Sequence, residues 1–373
     1  MQGKSFKNAS AFLALLKAGL WETEVQLLPF GEVDYSAVLR LAEEQSVVGL
    51  VAAGLEHVVD VKMPKEDLLQ FVGQALQLEQ RNTAMNSFIG EIVDKMRKAD
   101  IYTLLVKGQG IAQCYERPLW RACGDVDFLL SDENYVKAKR FLSPLASSVE
   151  TEAFREKHFA MTINSWLVEL HGSLRSDCLR KMDREIDSIQ YDIFCGGNVR
   201  SWMNGNTLVF LPSADNDVLL VFTHILKHYF RSGIGLRQIC DWCRLLWTFK
   251  DEINRDMLER RIKAMGIMTE WKAFASLAVN TLGMREEAMP LYENIEKWRK
   301  KADKVLLRIM ADGNFGHNKD LSYADRHKPI VRKLISFWRH TRDSITQFGI
   351  FPLDTIKAWN SMVVNGVMDS GKE

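Results

Sequence analysis

The sequence predicts a mostly helical α+β protein, with a small α/β core at residues 101–211 between helical lobes at 1–100 and 212–373. Two observations carry that prediction. Apolar residues recur at helical spacing on both sides of the core. Within the core the period shortens to that of buried or alternating strands. The 373 residues suffice for two or three packed units rather than one.

The elements follow in order. Tyr35, Val38, Leu39, Leu41 and Ala42 mark one helical face. A longer pattern runs from Glu66 to Lys98, through Leu69, Phe71, Val72 and Leu76 and later Ile89, Ile92, Val93 and Met96. Residues 102–107 are short, apolar and rich in β formers, as a buried strand requires. Gly108-Gln109-Gly110 makes a turn, Ile111, Cys114 and Tyr115 give a helical face, and Pro118 ends it. Residues 126–130 form a second strand, and Ser131 is placed to cap a helix carrying Tyr135, Ala138, Phe141 and Leu142. Phe159, Met161 and Ile163 alternate, as do Val168 and Leu170, so 157–163 and 166–171 read as a strand pair closed by Gly172. Residues 173–206 show no clear period. A strand is expected at 207–211, then helices at 214–231, 236–250, 254–264, 269–282, 286–311 and 328–346. There is no internal repeat and no low-complexity segment.

Composition narrows the classes. A hydrophobic fraction of 47% with 26% charged residues argues against disorder or a fibrous repeat. The net charge of +1 drives the chain onto neither nucleic acid nor an anionic membrane, so such a partner needs a local patch. The basic stretch Arg326 to Arg342 carries Ile330, Val331, Leu334, Ile335 and Trp338 at helical spacing. It reads as an amphipathic helix with a solvated basic face, with docking to RNA or a membrane surface as the lesser alternative. The six cysteines read as reduced thiols. Cys240 and Cys243 have a redox or zinc spacing, but within a helical pattern they are two small hydrophobes on one face. The run Ala11–Leu16 is interrupted by Lys17, and Val47–Leu55 is about half of a membrane span, so a soluble, cytoplasmic protein is expected. Oligomeric state leaves no trace in the sequence.

The chemistry lies in Lys107-Gly-Gln-Gly110 followed by Gly124-Asp-Val-Asp-Phe128. On a strand, positions i and i+2 share a face, so Asp125 and Asp127 present two carboxylates together while Val126 and Phe128 point into the core. Like charges so placed repel unless a cation lies between them, and oxygen-only ligands suit Mg²⁺ or Mn²⁺. Glu169, in Val168-Glu-Leu-His171, is the best candidate for a third acid if its strand lies beside that of Asp125. Three such carboxylates suffice for a two-metal displacement at phosphorus. The turn at Gly108, Gln109 and Gly110 places free backbone N–H groups at a helix start, where they would cradle a phosphate. Lys107 or Arg121 would add charge opposite the phosphates, or be a solvated surface residue.

Further on, His224 and His228 share one helical face, and Arg237 and Asp241 share another. The reading His224-Ile-Leu-Lys-His228 lacks the glutamate of a zinc metalloprotease. These four residues either form an interhelical network or line the far wall of a nucleotide cleft. His171 and His158 offer the choice between a general base or phosphate contact and a plain strand-face residue.

The Lys107–Gly110 turn, Gly124-Asp-Val-Asp127, Glu169-x-His171, His224-x-x-x-His228 and Arg237-x-x-x-Asp241 together resemble the uncharacterised bacterial nucleotidyltransferases of the polymerase-β superfamily. The resemblance covers most of residues 30–250. It departs at Gln109, where the superfamily usually has Ser or Gly after the first glycine. It implies a polymerase-β-type core, with transfer of a nucleoside monophosphate from a nucleoside triphosphate and pyrophosphate as leaving group. It leaves the acceptor open among sugar, small molecule, protein and RNA. A catalytically decayed nucleotide-binding or protein-interaction module on the same fold is the alternative, but all three acids are present.

Overall fold

The computed structural model describes residues 2–153, 157–318, 341–342, 345, 347 and 348–360. Most of the basic stretch 326–342 and of the helix expected at 328–346 lies outside the described residues.

Four helices lead: α1 Gln2–Trp21, α2 Tyr35–Glu44, α3 Val48–Glu56 and α4 Lys65–Lys98. The mixed part follows with β1 Leu104–Val106, α5 Gly108–Ala112, β2 Asp125–Leu129, α6 Asp132–Leu142, β3 Ser148–Val149, β4 His158–Ile163, β5 Trp166–His171, α7 Arg180–Gly196, β6 Val199–Asn204 and β7 Thr207–Pro212. Helices α8 Ala214–Arg231, α9 Leu236–Thr248, α10 Arg255–Met265, α11 Met268–Asn280 and α12 Glu296–Asp312 complete the named elements. The mostly helical α+β class is the one the sequence predicts. The segment without a clear period holds α7, whose apolar face is Met182, Ile186, Ile189 and Ile193, and the edge strand β6. The helix expected from residue 286 begins only at Glu296, because Pro290 cannot donate to a helical ladder.

The strands form one seven-stranded mixed sheet in the order β3-β4-β5-β2-β1-β7-β6. One face, with Val126, Phe128, Phe159, Met161, Val168 and Leu170, packs against the second half of α4 through Phe88, Ile89, Ile92 and Met96. The other face contributes Leu104, Val106 and Leu129 to a larger helical core. That core includes Phe12 and Leu15 of α1 together with Phe222, Trp242 and Trp271 of the later helices. Segments expected to form two separate lobes therefore share one interior. Trp21 Nε1 donates to the Leu282 carbonyl at 2.6 Å, and Leu236 N donates to Gln45 Oε1 at 3.0 Å.

Helix α4 departs from its sequence pattern in one half. Leu69, Val72 and Leu76 are exposed, whereas Phe71 and Ala75 face the core. The buried stripe there is narrower than the apolar one. Among the described residues, no helix is long and apolar enough to cross a membrane.

Candidate functional site

Strand register assembles the site. Alternation along β2 sends Val126 and Phe128 to the α4 face and Asp125 and Asp127 to the other. Strand β5 runs parallel to β2 with Asp127 beside Glu169 and Leu129 beside His171. Strand β4 runs antiparallel to β5 with His158 directly opposite His171. Strand β1 pairs with β2 so that Val106 faces Asp127, and Lys107 follows at its end. The face that carries these polar groups is the one covered by α8 and its neighbours, so the site lies between sheet and helices.

The distances are those of a bonded cluster. Lys107 Nζ donates to Asp127 Oδ1 at 2.9 Å. His171 Nε2 lies 2.7 Å from the same oxygen and 3.4 Å from Glu169 Oε2. His158 Nε2 lies 3.1 Å from that Glu169 oxygen. Lys107 holds φ +57°, ψ −144°, a conformation that costs a non-glycine residue roughly 1–3 kcal/mol.

Electrostatics separates the acids. Repulsion from Asp127, then burial, raises the Asp125 carboxyl above its ordinary value against the pull of Lys107. Burial pushes Asp127 up, but Lys107 and His171 outweigh it and hold it low. Glu169 is held well below the carboxylate range, because the hydrogen bonds from His158 and His171 overcome its burial. Burial works against the Lys107 ammonium, yet Asp127, Glu169 and Asp125 keep its proton more tightly bound than usual. Burial and the nearby Lys107 charge push His224 well down and His228 to about 3, which favours the neutral form of both imidazoles.

The predicted residues divide into two groups. Lys107, Gly108, Asp125, Asp127, Glu169, His224, His228 and Arg237 all line one cleft with Arg121 and Asp241. Arg121 and Asp241 are already joined there. Arg121 donates to Asp241 at 2.9 and 2.6 Å, Tyr115 donates to it at 2.8 Å, and Arg237 reaches it at 3.4 Å. The Arg237–Asp241 helix pair read from spacing is thus secondary to one with Arg121. Arg121 Nη1 is buried without a hydrogen-bond partner among the described residues.

The glycine turn differs in detail from the expected phosphate cradle. Gly108 has φ +42°, which suits glycine. Gly110 serves packing, since a Cβ there would meet Leu211 Cδ2 at 2.7 Å. Gln109 is buried, and its amide donates to Asn82 Oδ1 at 2.8 Å, directed to α4 rather than to the carboxylates. Cys240 and Cys243 are free buried thiols whose burial raises both pKa values, in line with a packing role.

A second cleft meets the first at Glu169. Both are lined by Lys107, Glu169, His224 and His228, and the second adds His158, His171, Ser173, Arg175, Ser176 and Lys227. Counting the solvent at their mouths, they enclose about 720 and 930 Å³, the scale of small-molecule sites. Sequence reasoning missed Phe315 in the first cleft, and no local pattern points to it. It also missed Lys227, which its i+3 relation to His224 would have revealed.

Comparison with known proteins adds one finding. No curated protein and no solved structure matches the chain. A family model described as "uncharacterised nucleotidyltransferase" matches residues 31–283, which include every carboxylate and histidine of the cluster and more than half of the chain. The chain belongs to that family of nucleotidyltransferases.

Proposed function

We propose that the chain moves a nucleoside monophosphate from a nucleoside triphosphate to an acceptor hydroxyl, with pyrophosphate leaving. The observation that carries this reading is the meeting of Asp125, Asp127 and Glu169 on one sheet face, where one ammonium, Lys107, is bonded. Asp125 and Asp127 would hold Mg²⁺ or Mn²⁺. The fit is good, because their donors are all oxygen, they repel each other, and a cation already stands beside Asp127. Glu169 would serve a second ion. Divalent ions, when bound, supply charge neutralisation at the phosphates and lower the pKa of an attacking hydroxyl.

The remaining work falls to the chain. Lys107 and Arg237 place positive charge along the first cleft, where a triphosphate needs it. The Gly108 turn lets the backbone approach that phosphate chain. Phe315 offers an aromatic face to a base. Neutral His224 and His228 exchange hydrogen bonds with sugar or acceptor without adding charge. The acceptor enters through the second cleft and meets the α-phosphate beside Glu169, which lines both clefts. Catalysis then comes from positioning and electrostatics rather than covalent chemistry.

Thermal unfolding with each ribonucleoside triphosphate, with and without Mg²⁺ or Mn²⁺, tests this directly. A nucleotide at 100 times its Kd stabilises by about 2.7 kcal/mol. A metal-dependent rise in midpoint that vanishes in Asp125→Ala/Asp127→Ala supports the reading. No response to any nucleotide at millimolar concentration would sink it in favour of a module that binds a protein partner.

A further inference from the structure

The Glu169 end of the cluster has a different donor set from the Asp125 end. His158 and His171 are cross-strand neighbours, and Glu169 stands two residues before His171 on the same face. That register aims both Nε2 atoms at one carboxylate oxygen, at 3.1 and 3.4 Å. One ligand atom from each of the three residues lies within 4.8 Å of the others. Ligands about 2.0–2.2 Å from a single ion stand roughly 3–4 Å apart, so small side-chain shifts close the set. The strands beneath are fixed on both sides. Strand β4 is tied to β5 through six paired positions, and the Gly172 amide donates to the Lys157 carbonyl at 2.8 Å, just before His158.

Two imidazoles and a carboxylate are poor ligands for Mg²⁺, which prefers oxygen and retains its water. They are good ligands for borderline transition ions. Each imidazole would bind through Nε2 and keep its proton on Nδ1. Asp127 Oδ1, 2.7 Å from His171 Nε2, is a fourth group beside the set. His158 and Glu169 are part-exposed and border the second cleft, so an ion and a solvent or acceptor oxygen have access.

We infer that His158, Glu169 and His171 form a binding site for a divalent transition ion of the zinc class, distinct in metal preference from the Asp125–Asp127 pair. This deepens the proposed function by giving the acceptor side of the site its own metal. It also rests on that reading for its catalytic meaning, but not for its existence. A metal there lies where the acceptor oxygen arrives, while the all-oxygen end takes the ion that travels with the triphosphate.

The test uses chelator-stripped full-length protein without nucleotide. Co²⁺ titration is followed by its visible ligand-field absorption, and Zn²⁺ is then used to displace it. One equivalent of Co²⁺ with histidine-type bands is expected, displaced by Zn²⁺ and not by excess Mg²⁺. His158→Gln and His171→Gln are each expected to weaken binding at least tenfold, whereas Asp125→Asn keeps the bands. X-ray absorption of Zn²⁺-loaded wild type needs no variant and is expected to show imidazole scattering from two histidines. An oxygen-only zinc shell, or Co²⁺ affinity unmoved by both histidine changes, overturns the inference. Metal binding without any nucleotide response would remove the proposed function and leave the site in place.

Discussion

Two buried charge clusters border the same cleft and are built on opposite terms. Around Asp241, one carboxylate accepts from Arg121 Nε and Nη2, from Tyr115, and at longer range from Arg237. Cations there outnumber the anion, and the carboxylate is saturated. On the sheet face, three carboxylates meet beside one bonded ammonium, and two imidazoles crowd a single Glu169 oxygen. The first cluster is closed around its carboxylate, although Arg121 Nη1 has no hydrogen-bond partner among the described residues. The second has acidic oxygens in excess, which is the ground for the proposed cation site. The sign of the surplus, more than burial or short distances, separates the structural cluster from the one proposed to bind metal.

Breaking the Asp241 cluster gives the largest effect. Asp241→Ala leaves Arg121 buried and uncompensated, which costs roughly 3–5 kcal/mol in denaturant unfolding. A loss below 1 kcal/mol would put the Asp241 cluster on the same footing as the open one. The same pair has an acid signature. Burial raises the Asp241 carboxyl, but Arg121 outweighs it and holds the folded value below the ordinary 3.8. A depressed carboxyl contributes stability that is fully present above 3.8 and is lost as pH falls through the folded value. Below pH 3.8, wild type is therefore expected to lose stability more steeply than Asp241→Asn, and parallel curves would contradict this.

The open cluster predicts smaller shifts, some of opposite sign. Lys107→Gly is expected to be more stable than Lys107→Ala by about 1 kcal/mol, because only glycine accepts that backbone without strain. Equal stabilities would mean that the positive φ carries no cost. Asp125→Asn, measured without divalent ions, is expected to stabilise by roughly 0.2–1 kcal/mol, since it relieves repulsion from Asp127. Adding Mg²⁺ is expected to reverse the order, with wild type gaining and the variant gaining little. A variant that unfolds earlier in metal-free buffer would show that Asp125 is held by partners as Asp241 is.

Much of this was legible in the chain. Alternation along β2 and β5 placed Asp125, Asp127, Glu169 and His171 on the faces opposite Val126, Phe128, Val168 and Leu170, and strand β5 falls at the expected residues. Helix α6 begins where Ser131 caps it, accepting from Asn134 N at 3.4 Å. These features repeat every two or every 3.6 residues, and a local window contains them. Gln109 shows the limit. Its place in the turn suggested a phosphate contact, but its amide meets Asn82, which lies 27 residues away.

The sequence by itself determined which side chains share a strand face and where helices begin, because backbone sterics and side-chain period act between near neighbours. Only the tertiary structure decided that β5 lies beside β2, that His158 stands opposite His171, and that Arg121 pairs with a residue 120 positions later. It also decided that the first and last helical segments share one core. Those outcomes depend on which surfaces bury one another, and no period in a linear chain records that choice.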